Sequence, residues 1–564
     1  MRQRMKAALA RPLARISITG ALAAIAAISV VALAPHTPVT AQNASGAPRG
    51  TPGLALNVAL TGTASATTEK ADAPASNAVD GSASTSWCST EWTGTLTVDL
   101  GRVRRLSGFG FTLGTMDTSA AVSLAYATTP GDWQKPHLTQ QMSPPAGQPV
   151  YLPASANGLR ARYIQLSVTD NDGTPPCVGE LRAFAPAPHT AIRYRGADLS
   201  FEPQEEAAGA QFTDNGAPAS ALQILNNHRL NYVRLRLWVN PPPGYSNLAS
   251  DLAMARRIKR AGDRLYLDIH YSDFWADPQH QDIPAAWRGQ DLAQLTNTVR
   301  NYTQQVIRAF ASQGTPVDMV SIGNEIRNGI LWPIGQVNSS AGGGWDNLGA
   351  LLRAGVQGAR AGNPQGHRLR VMIHYDQGGD NAQSRAFFDN ILAQHVPFDV
   401  IGLSYYSFFH GSLEALRQNV DDLATRYGKP IVIAESQYAW TLAAGDSTGN
   451  FVWQASQLEP GYPATPGGQL SFYNDLLSIL AQVPNHRALG LFYWEPEWIP
   501  GVGWEPGAGT PNDNLTLFSF SGQSLPSVGL FQSPLAVCAT YDPMAFPCEV
   551  PDGATIAPGQ GINP

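Results

Sequence analysis

Two glutamates stand where short apolar runs end: Glu325 in MVSIGNEI (319–326) and Glu435 in IVIAES (431–436). A pair of carboxyl groups at the ends of buried strands can divide proton donation and nucleophilic attack between them. Such a pair cleaves glycosidic bonds, and attack with retained configuration needs the two groups about 5 to 5.5 Å apart. Asn324, immediately before the first glutamate, supplies an amide that can hydrogen-bond a sugar hydroxyl next to the reacting carbon.

Those residues need a frame that brings distant strand ends together. Between residues 190 and 530 short apolar stretches alternate with helical ones. Eight strands are predicted: Tyr194–Ser200, Tyr232–Trp238, Leu265–Tyr271, Met319–Asn324, Arg370–His374, Val400–Tyr405, Ile431–Ala434 and Gly490–Trp494. Helical stretches such as Leu292–Ala311, Leu348–Ala361 and Leu413–Tyr427 lie between them. This order predicts an α/β fold, a (β/α)8 TIM barrel with its site at the carboxyl ends of the strands. No Gly-rich phosphate turn follows the first strand, which argues against a doubly wound sheet. Glu325 then ends the fourth strand and Glu435 the seventh.

Other residues fall at the same mouth. Alternation along 233–238 puts Arg234 and Arg236 on one face, with Arg236 nearer the carboxyl end and so expected as the cation that keeps Glu435 ionised. His270 at the end of the third strand, and Tyr405 or Tyr406 at the end of the sixth, are expected to orient the carboxylates. Trp275, Trp332, Trp494 and Trp498 offer faces on which a sugar ring can stack, at least one of them serving only packing. Asp273 and Asp277 either bind substrate or cap their loop.

The chain has 564 residues, 43% apolar and 14% charged, enough for more than one domain with sizeable cores. Residues 1–41 read as an export signal: Arg2, Arg4, Lys6, Arg11 and Arg15, an apolar run from Ile16 to Ala34, then Val39, Thr40 and Ala41 as a small-residue cleavage site. The other reading of this run is an uncleaved membrane anchor. Cleavage leaves 32 Lys+Arg against 43 Asp+Glu and moves the formal net charge from −6 to −11, which excludes nucleic acid as an expected partner. A secreted protein, extracellular or periplasmic and free of the membrane after cleavage, is expected, as a monomer acting on polysaccharide. Cys88, Cys177, Cys538 and Cys548 all lie outside the predicted barrel and can oxidise after export. Pairing neighbours gives one disulfide per terminal region; the other two connectivities would tie separate domains together.

Residues 42–54 read as a small, polar, Gly/Pro-rich linker, and 55–186 alternate short apolar runs with turns, the pattern of an all-β sandwich. SNAVDG (76–81), TSWC (85–88), LTVDLG (96–101), RYIQL (162–166) and GEL (179–181) resemble the discoidin-type, galactose-binding-like sandwich. That resemblance implies a structural Ca²⁺ with Asp80 and Glu180 as side-chain ligands, a Cys88–Cys177 disulfide, and a ligand site on variable loops where Trp92 and Trp133 are candidate stackers. Residues 531–564 are expected to be a tail stapled by Cys538 and Cys548.

The barrel segment resembles the arabinogalactan endo-β-1,4-galactanases, glycoside hydrolase family 53. The resemblance rests on GADLS (196–200), NYVRLRLW (231–238), DIHYSDFWADP (268–278), GNEI (323–326), LWPIG (331–335), IGLSYY (401–406), AES (434–436) and YWEP (493–496). It implies Glu325 as general acid/base and Glu435 as nucleophile, with no cofactor for catalysis and galactan as substrate. Ser407–Phe409 depart from the family's Pro and Trp before His410 and Gly411. Some members hold Ca²⁺ in late barrel loops, but residues 512–514 offer no convincing carboxylate cluster. Two alternatives remain: an endo-glycosidase of the same clan acting on mannan or β-glucan, and a catalytically inactive galactan-binding protein.

Overall fold

The computed structural model describes residues 55–531, apart from 82–84, 107, 115–119, 143–148, 154–158, 171–172, 187–191, 242–243, 339, 341, 460–461 and 506. The leader, the linker through residue 54 and the tail with Cys538 and Cys548 lie outside the described residues. Among the described residues no helix is long and apolar enough to cross a membrane.

The amino-terminal part is a sandwich of two antiparallel sheets. One orders Ala55–Asn57, Cys177–Pro186, Gly108–Leu113 and Pro149–Pro153, with Trp87–Cys88 paired to Cys177–Pro186. The other orders Thr63–Ala66, Thr93–Leu106, Leu159–Asp170, Ala120–Ala127 and Gln134–Met142. Period-two alternation decides which residues face inward: Leu96, Val98 and Leu100 are buried between half-buried Thr95, Thr97 and Asp99. They join Phe109, Phe111, Ile164, Leu166 and Leu181 in one core. Cys88 and Cys177 face each other in register and form a disulfide.

The rest is a closed parallel barrel of eight strands: β1 Tyr194–Asp198, β2 Tyr232–Leu237, β3 Arg264–Ile269, β4 Met319–Ile322, β5 Arg370–Tyr375, β6 Val400–Ser404, β7 Ile431–Ser436 and β8 Ala488–Tyr493. All eight predicted strands are present, with ends displaced by at most two residues. The strands are almost wholly buried, because helices cover the outside and side chains fill the inside. Tyr194, Tyr232, Tyr266, Met319, Met372, Val400, Val432 and Phe492 plug the amino-terminal end of the barrel. Gly196 makes room for this plug, since a Cβ there would lie 2.3 Å from the Phe492 ring. One inward step further along the strands the lining becomes ionic: Asp198, Arg234 and Asp268.

A buried polar seam joins the sandwich to the helix Pro466–Gln482 that follows β7. Arg182, in the strand Cys177–Pro186, donates from Nε to Asp475 Oδ2 at 2.8 Å, and Tyr462 donates to the same oxygen at 2.7 Å. Asn57 N donates to Ser478 Oγ at 2.9 Å. Arg182 and Asp475 are both buried, and their charges meet across this seam.

Candidate active site

β7 carries Glu435 within its last turn of pairing, opposite Ser404 of β6. Its Oε1 accepts from Arg234 Nη2 at 2.7 Å and its Oε2 from the Tyr406 hydroxyl at 2.9 Å. Arg234 also donates to Asp198 Oδ2 at 2.6 Å, Asp268 Oδ2 at 2.7 Å and Asn324 Oδ1 at 3.0 Å. Three carboxylates thus converge on one buried guanidinium, whose planar fork suits several carboxylate partners at once. Burial alone would raise Asp268, yet Arg234 and then His270 hold it below the usual carboxylate range.

Glu325 reaches the mouth by a turn that β4 could not make with ordinary residues. Pairing stops at Ile322; Gly323 has φ +90°, where a Cβ would meet Ile326 at 2.6 Å, and Glu325 itself has φ +48°. Its Oε1 accepts from Ser404 Oγ at 2.6 Å. Ser404 Oγ also lies 2.9 Å from His374 Nε2 and 3.5 Å from Glu435 Oε2. One oxygen of Glu325, one of Glu435 and a His374 ring nitrogen lie within 4.8 Å of one another. The two carboxylates are already matched by Arg234, Tyr406 and Ser404, so the group is a hydrogen-bonded acid/base cluster rather than a metal centre.

The electrostatics separate the two glutamates. Burial and then the neighbouring Glu435 push the Glu325 carboxyl well above the usual range, Asp376 and Asp277 adding to the effect and Ser404 opposing it. Burial also raises Glu435, but Arg234 and the Tyr406 hydroxyl counter it while Asp268 and Asp198 do not. Glu325 is therefore the proton holder of the pair and Glu435 the readier anion.

One expectation needs correction, and one open alternative is decided. Arg234, not Arg236, sits on Glu435. Both point into the barrel, but an arginine's length lifts its guanidinium about one layer above its own Cα, so the lower residue meets the carboxylates at strand-end height. Arg236 overshoots: it pairs with Glu495 at 2.7 Å and lies over the Trp275 ring at 4.1 Å. Tyr406, not Tyr405, bonds the nucleophile candidate. Tyr405 turns into the core and donates to Gly411 O at 2.9 Å.

The remaining residues divide. Asn324 is held from both ends, Oδ1 by Arg234 and Nδ2 by Ala276 O at 2.8 Å, leaving one amide hydrogen for a substrate. His270 lies 3.2 Å from Asp268 and accepts at Nδ1 from Ala276 N, so it steadies Asp268 and not either glutamate directly. Asp277 binds its own loop through Gln279 N and His280 N, and Asp273 accepts from Ala285 N. Trp275 stacks on Trp504, ring centroids 4.3 Å apart, with Trp494 edge-on at 6.2 Å. Trp498 is fully buried against Phe201 and is packing only. Trp332 is half-buried, its indole donating to Asn328 O. Ser404, His374, Asp198, Asp268 and Trp504 went unassigned in the sequence; a charged residue at an inward position of an apolar strand is the signal that marked both aspartates.

The arrangement, a buried carboxyl pushed above its usual range beside an arginine-bound carboxylate at the mouth of a barrel, is that of a glycosidase. A model of glycosyl hydrolase family 53 matches residues 194–531, and an F5/8 type C domain matches residues 61–180. The chain belongs to glycosyl hydrolase family 53. It is a glycoside hydrolase with a discoidin-like module ahead of its barrel. This family 53 chain is 41% identical over 346 residues to an uncharacterized protein in the bgaB 5' region of Niallia circulans, covering 60% of this chain and 93% of that one. It is 36% identical over 349 residues to an arabinogalactan endo-beta-1,4-galactanase of Thermothelomyces thermophilus, covering 61% of this chain and 99% of that one. The family 53 catalytic domain of Ignisphaera aggregans superposes with a TM-score of 0.57 at 36% identity, over 61% of this chain and 96% of that one.

Proposed function

We propose that this protein is a secreted, retaining endo-β-1,4-galactanase acting on galactan or type I arabinogalactan, a monomer that carries its discoidin-like module to the polymer. The observation that carries the mechanism is the approach of Glu325 and Glu435 oxygens to within 4.8 Å, close to the spacing of a double displacement and short of the roughly 6.5 to 9.5 Å that leaves room for a water attacking in a single displacement. The substrate follows the Thermothelomyces relative, named as a galactanase, and export follows the basic, apolar leader of residues 1–41.

In the first step Glu435 Oε2 or Oε1 attacks the anomeric carbon as the glycosidic C–O bond breaks, and Glu325 gives its proton to the departing oxygen. In the second, ionised Glu325 takes a proton from water, the water oxygen attacks the same carbon, and the glycosyl ester breaks to restore Glu435. Arg234 keeps Glu435 anionic and aimed, and the free Asn324 amide hydrogen meets the adjacent sugar hydroxyl. The catalytic step needs no cofactor.

The sandwich residues fit a structural cation. Asp80 and Glu180 bring hard oxygens together, and Glu180 Oε2 is buried without a hydrogen-bond partner while its Oε1 accepts from Gly81 N at 2.9 Å. Chelation should lower the melting temperature and Ca²⁺ should restore it; an unchanged melt would remove the cation from the reading.

Reducing-end release from purified β-1,4-galactan, mannan and β-glucan tests the substrate. Release confined to galactan is expected. Release from mannan or β-glucan alone would assign another activity, and no release from any would leave a binding protein.

A further inference from the structure

Ser404 and His374 belong to no role assigned so far, yet both are fully buried beside Glu325. A serine has one hydrogen and two lone pairs. Ser404 Oγ faces Glu325 Oε1 at 2.6 Å, Glu435 Oε2 at 3.5 Å and His374 Nε2 at 2.9 Å. The Glu435 oxygen already takes the Tyr406 hydroxyl at 2.9 Å. The short bond to Glu325 takes the serine hydrogen; the reverse order would put the His374 hydrogen on Nδ1, where it would be buried with no acceptor, so His374 donates from Nε2 to Ser404. The network thus assigns His374 as the neutral tautomer with hydrogen on Nε2 and a bare Nδ1.

We propose that Ser404, oriented by His374, is a positioning residue that reserves Glu325 Oε1 as an acceptor and so confines the catalytic proton to Oε2. The inference rests on Glu325 being the acid/base. Its logic is directional: with Oε1 filled by an O–H donor, a proton on that oxygen would set two hydrogens against each other. The proton leaves Oε2 for the glycosidic oxygen and returns to Oε2 from water, while the Ser404 hydrogen stays in place.

The backbone holds this chain of donors rigidly. Ile326 N donates to His374 O at 3.1 Å, tying the turn after β4 to β5, and Tyr405 N donates to Glu435 O at 2.8 Å, tying β6 to β7. Burial pushes His374 down to about 3, with Asp268 opposing and Arg234 and His270 adding to the effect, so it stays neutral wherever the enzyme works. The charged groups facing Glu325 are Glu435 from β7, Asp376 after β5 with its partner Arg327, and Asp277 from the loop after β3.

The test is the pH dependence of kcat/KM for Ser404→Ala on β-1,4-galactan, alongside an aryl β-galactooligosaccharide whose leaving group needs no proton. Loss of a donor to the carboxylate should raise the basic limb by about one to two pH units. Turnover of galactan should fall by about tenfold or more, with glycosylation by the aryl substrate nearly unaffected. His374→Leu should shift the limb the same way by less, and His374→Gln, which keeps an N–H, should restore it. A lowered melting temperature with an unmoved basic limb and equal losses on both substrates would overturn the proposal. Glu325→Ala with added azide keeps the two readings apart: formation of β-galactosyl azide upholds Glu325 as acid/base whatever Ser404 does, and its absence removes the premise.

Discussion

Arg234→Lys separates the residue that holds the nucleophile from its neighbour. Arg234 spans Asp198 through Nη1 and Asp268, Asn324 and Glu435 through Nη2, all between 2.6 and 3.0 Å. A lysine keeps the charge but lacks the fork, so it cannot serve Asp198 and Glu435 together. Two unit charges about 4 Å apart interact by about 4 kcal/mol at an effective dielectric of 20, equivalent to about three pKa units. A displaced ammonium keeps part of that, so the Glu435 pKa should rise by about one to two units, and the acid limb of kcat/KM with it. At the plateau kcat/KM should fall by about a hundredfold, because the nucleophile loses its aim. The assay is initial reducing-end release from galactan across both limbs, with thermal unfolding to confirm the fold. Arg236→Lys is the comparison: its guanidinium pairs with Glu495 and lies over Trp275, so KM should rise with the acid limb unmoved. An acid limb that moves for Arg236→Lys and not for Arg234→Lys would refute the reasoning.

Tyr406→Phe should cost about tenfold to a hundredfold in kcat/KM by removing a donor to Glu435, whereas Tyr405→Phe should leave turnover intact and cost about 1 kcal/mol of stability, read by steady-state kinetics and thermal melts. Arg182→Met should destabilise the protein by about 3 to 5 kcal/mol by leaving Asp475 buried and uncompensated, and adding Asp475→Leu should recover most of that in denaturant unfolding. Glu205 is buried with neither oxygen hydrogen-bonded, and burial, then Glu495, pushes its carboxyl up to about 9. The folded state then holds a proton that the unfolded chain releases near its ordinary pKa of about 4.3. This contribution is fully present below that pH and is lost at about 1.4 kcal/mol per pH unit until about pH 9. Glu205→Gln should therefore melt higher than the parent at pH 8 and lose that advantage toward pH 4; parallel melting curves would contradict the assignment.

The barrel was legible because its strands are continuous apolar runs with helical periods between them, and buried parallel strands have no other pattern to show. Glu325 and Glu435 were legible because the fold puts function at strand ends. Which of two inward residues does the work was not. Arg234 and Arg236 share a face, and only the height of each guanidinium above its layer, set by barrel geometry and side-chain length, gives Glu435 to the first. Tyr405 and Tyr406 point opposite ways as strand neighbours must, but the turn after β6 decides which one looks into the mouth. Ser404 and His374 look like ordinary strand residues until three strands converge on one oxygen. Trp498 illustrates the reverse error, an aromatic at the right place in the chain whose ring packs beneath Trp494 and Trp504 instead of lining the cleft.

The most direct test of the central claim follows the anomeric configuration of the first product released from linear β-1,4-galactan by NMR. Glu325 and Glu435 acting in succession predict that the β-anomer appears first and the α-anomer grows in slowly as mutarotation approaches the equilibrium mixture. An α-anomer as the first product would contradict the double displacement and with it the assignment of Glu435 as nucleophile.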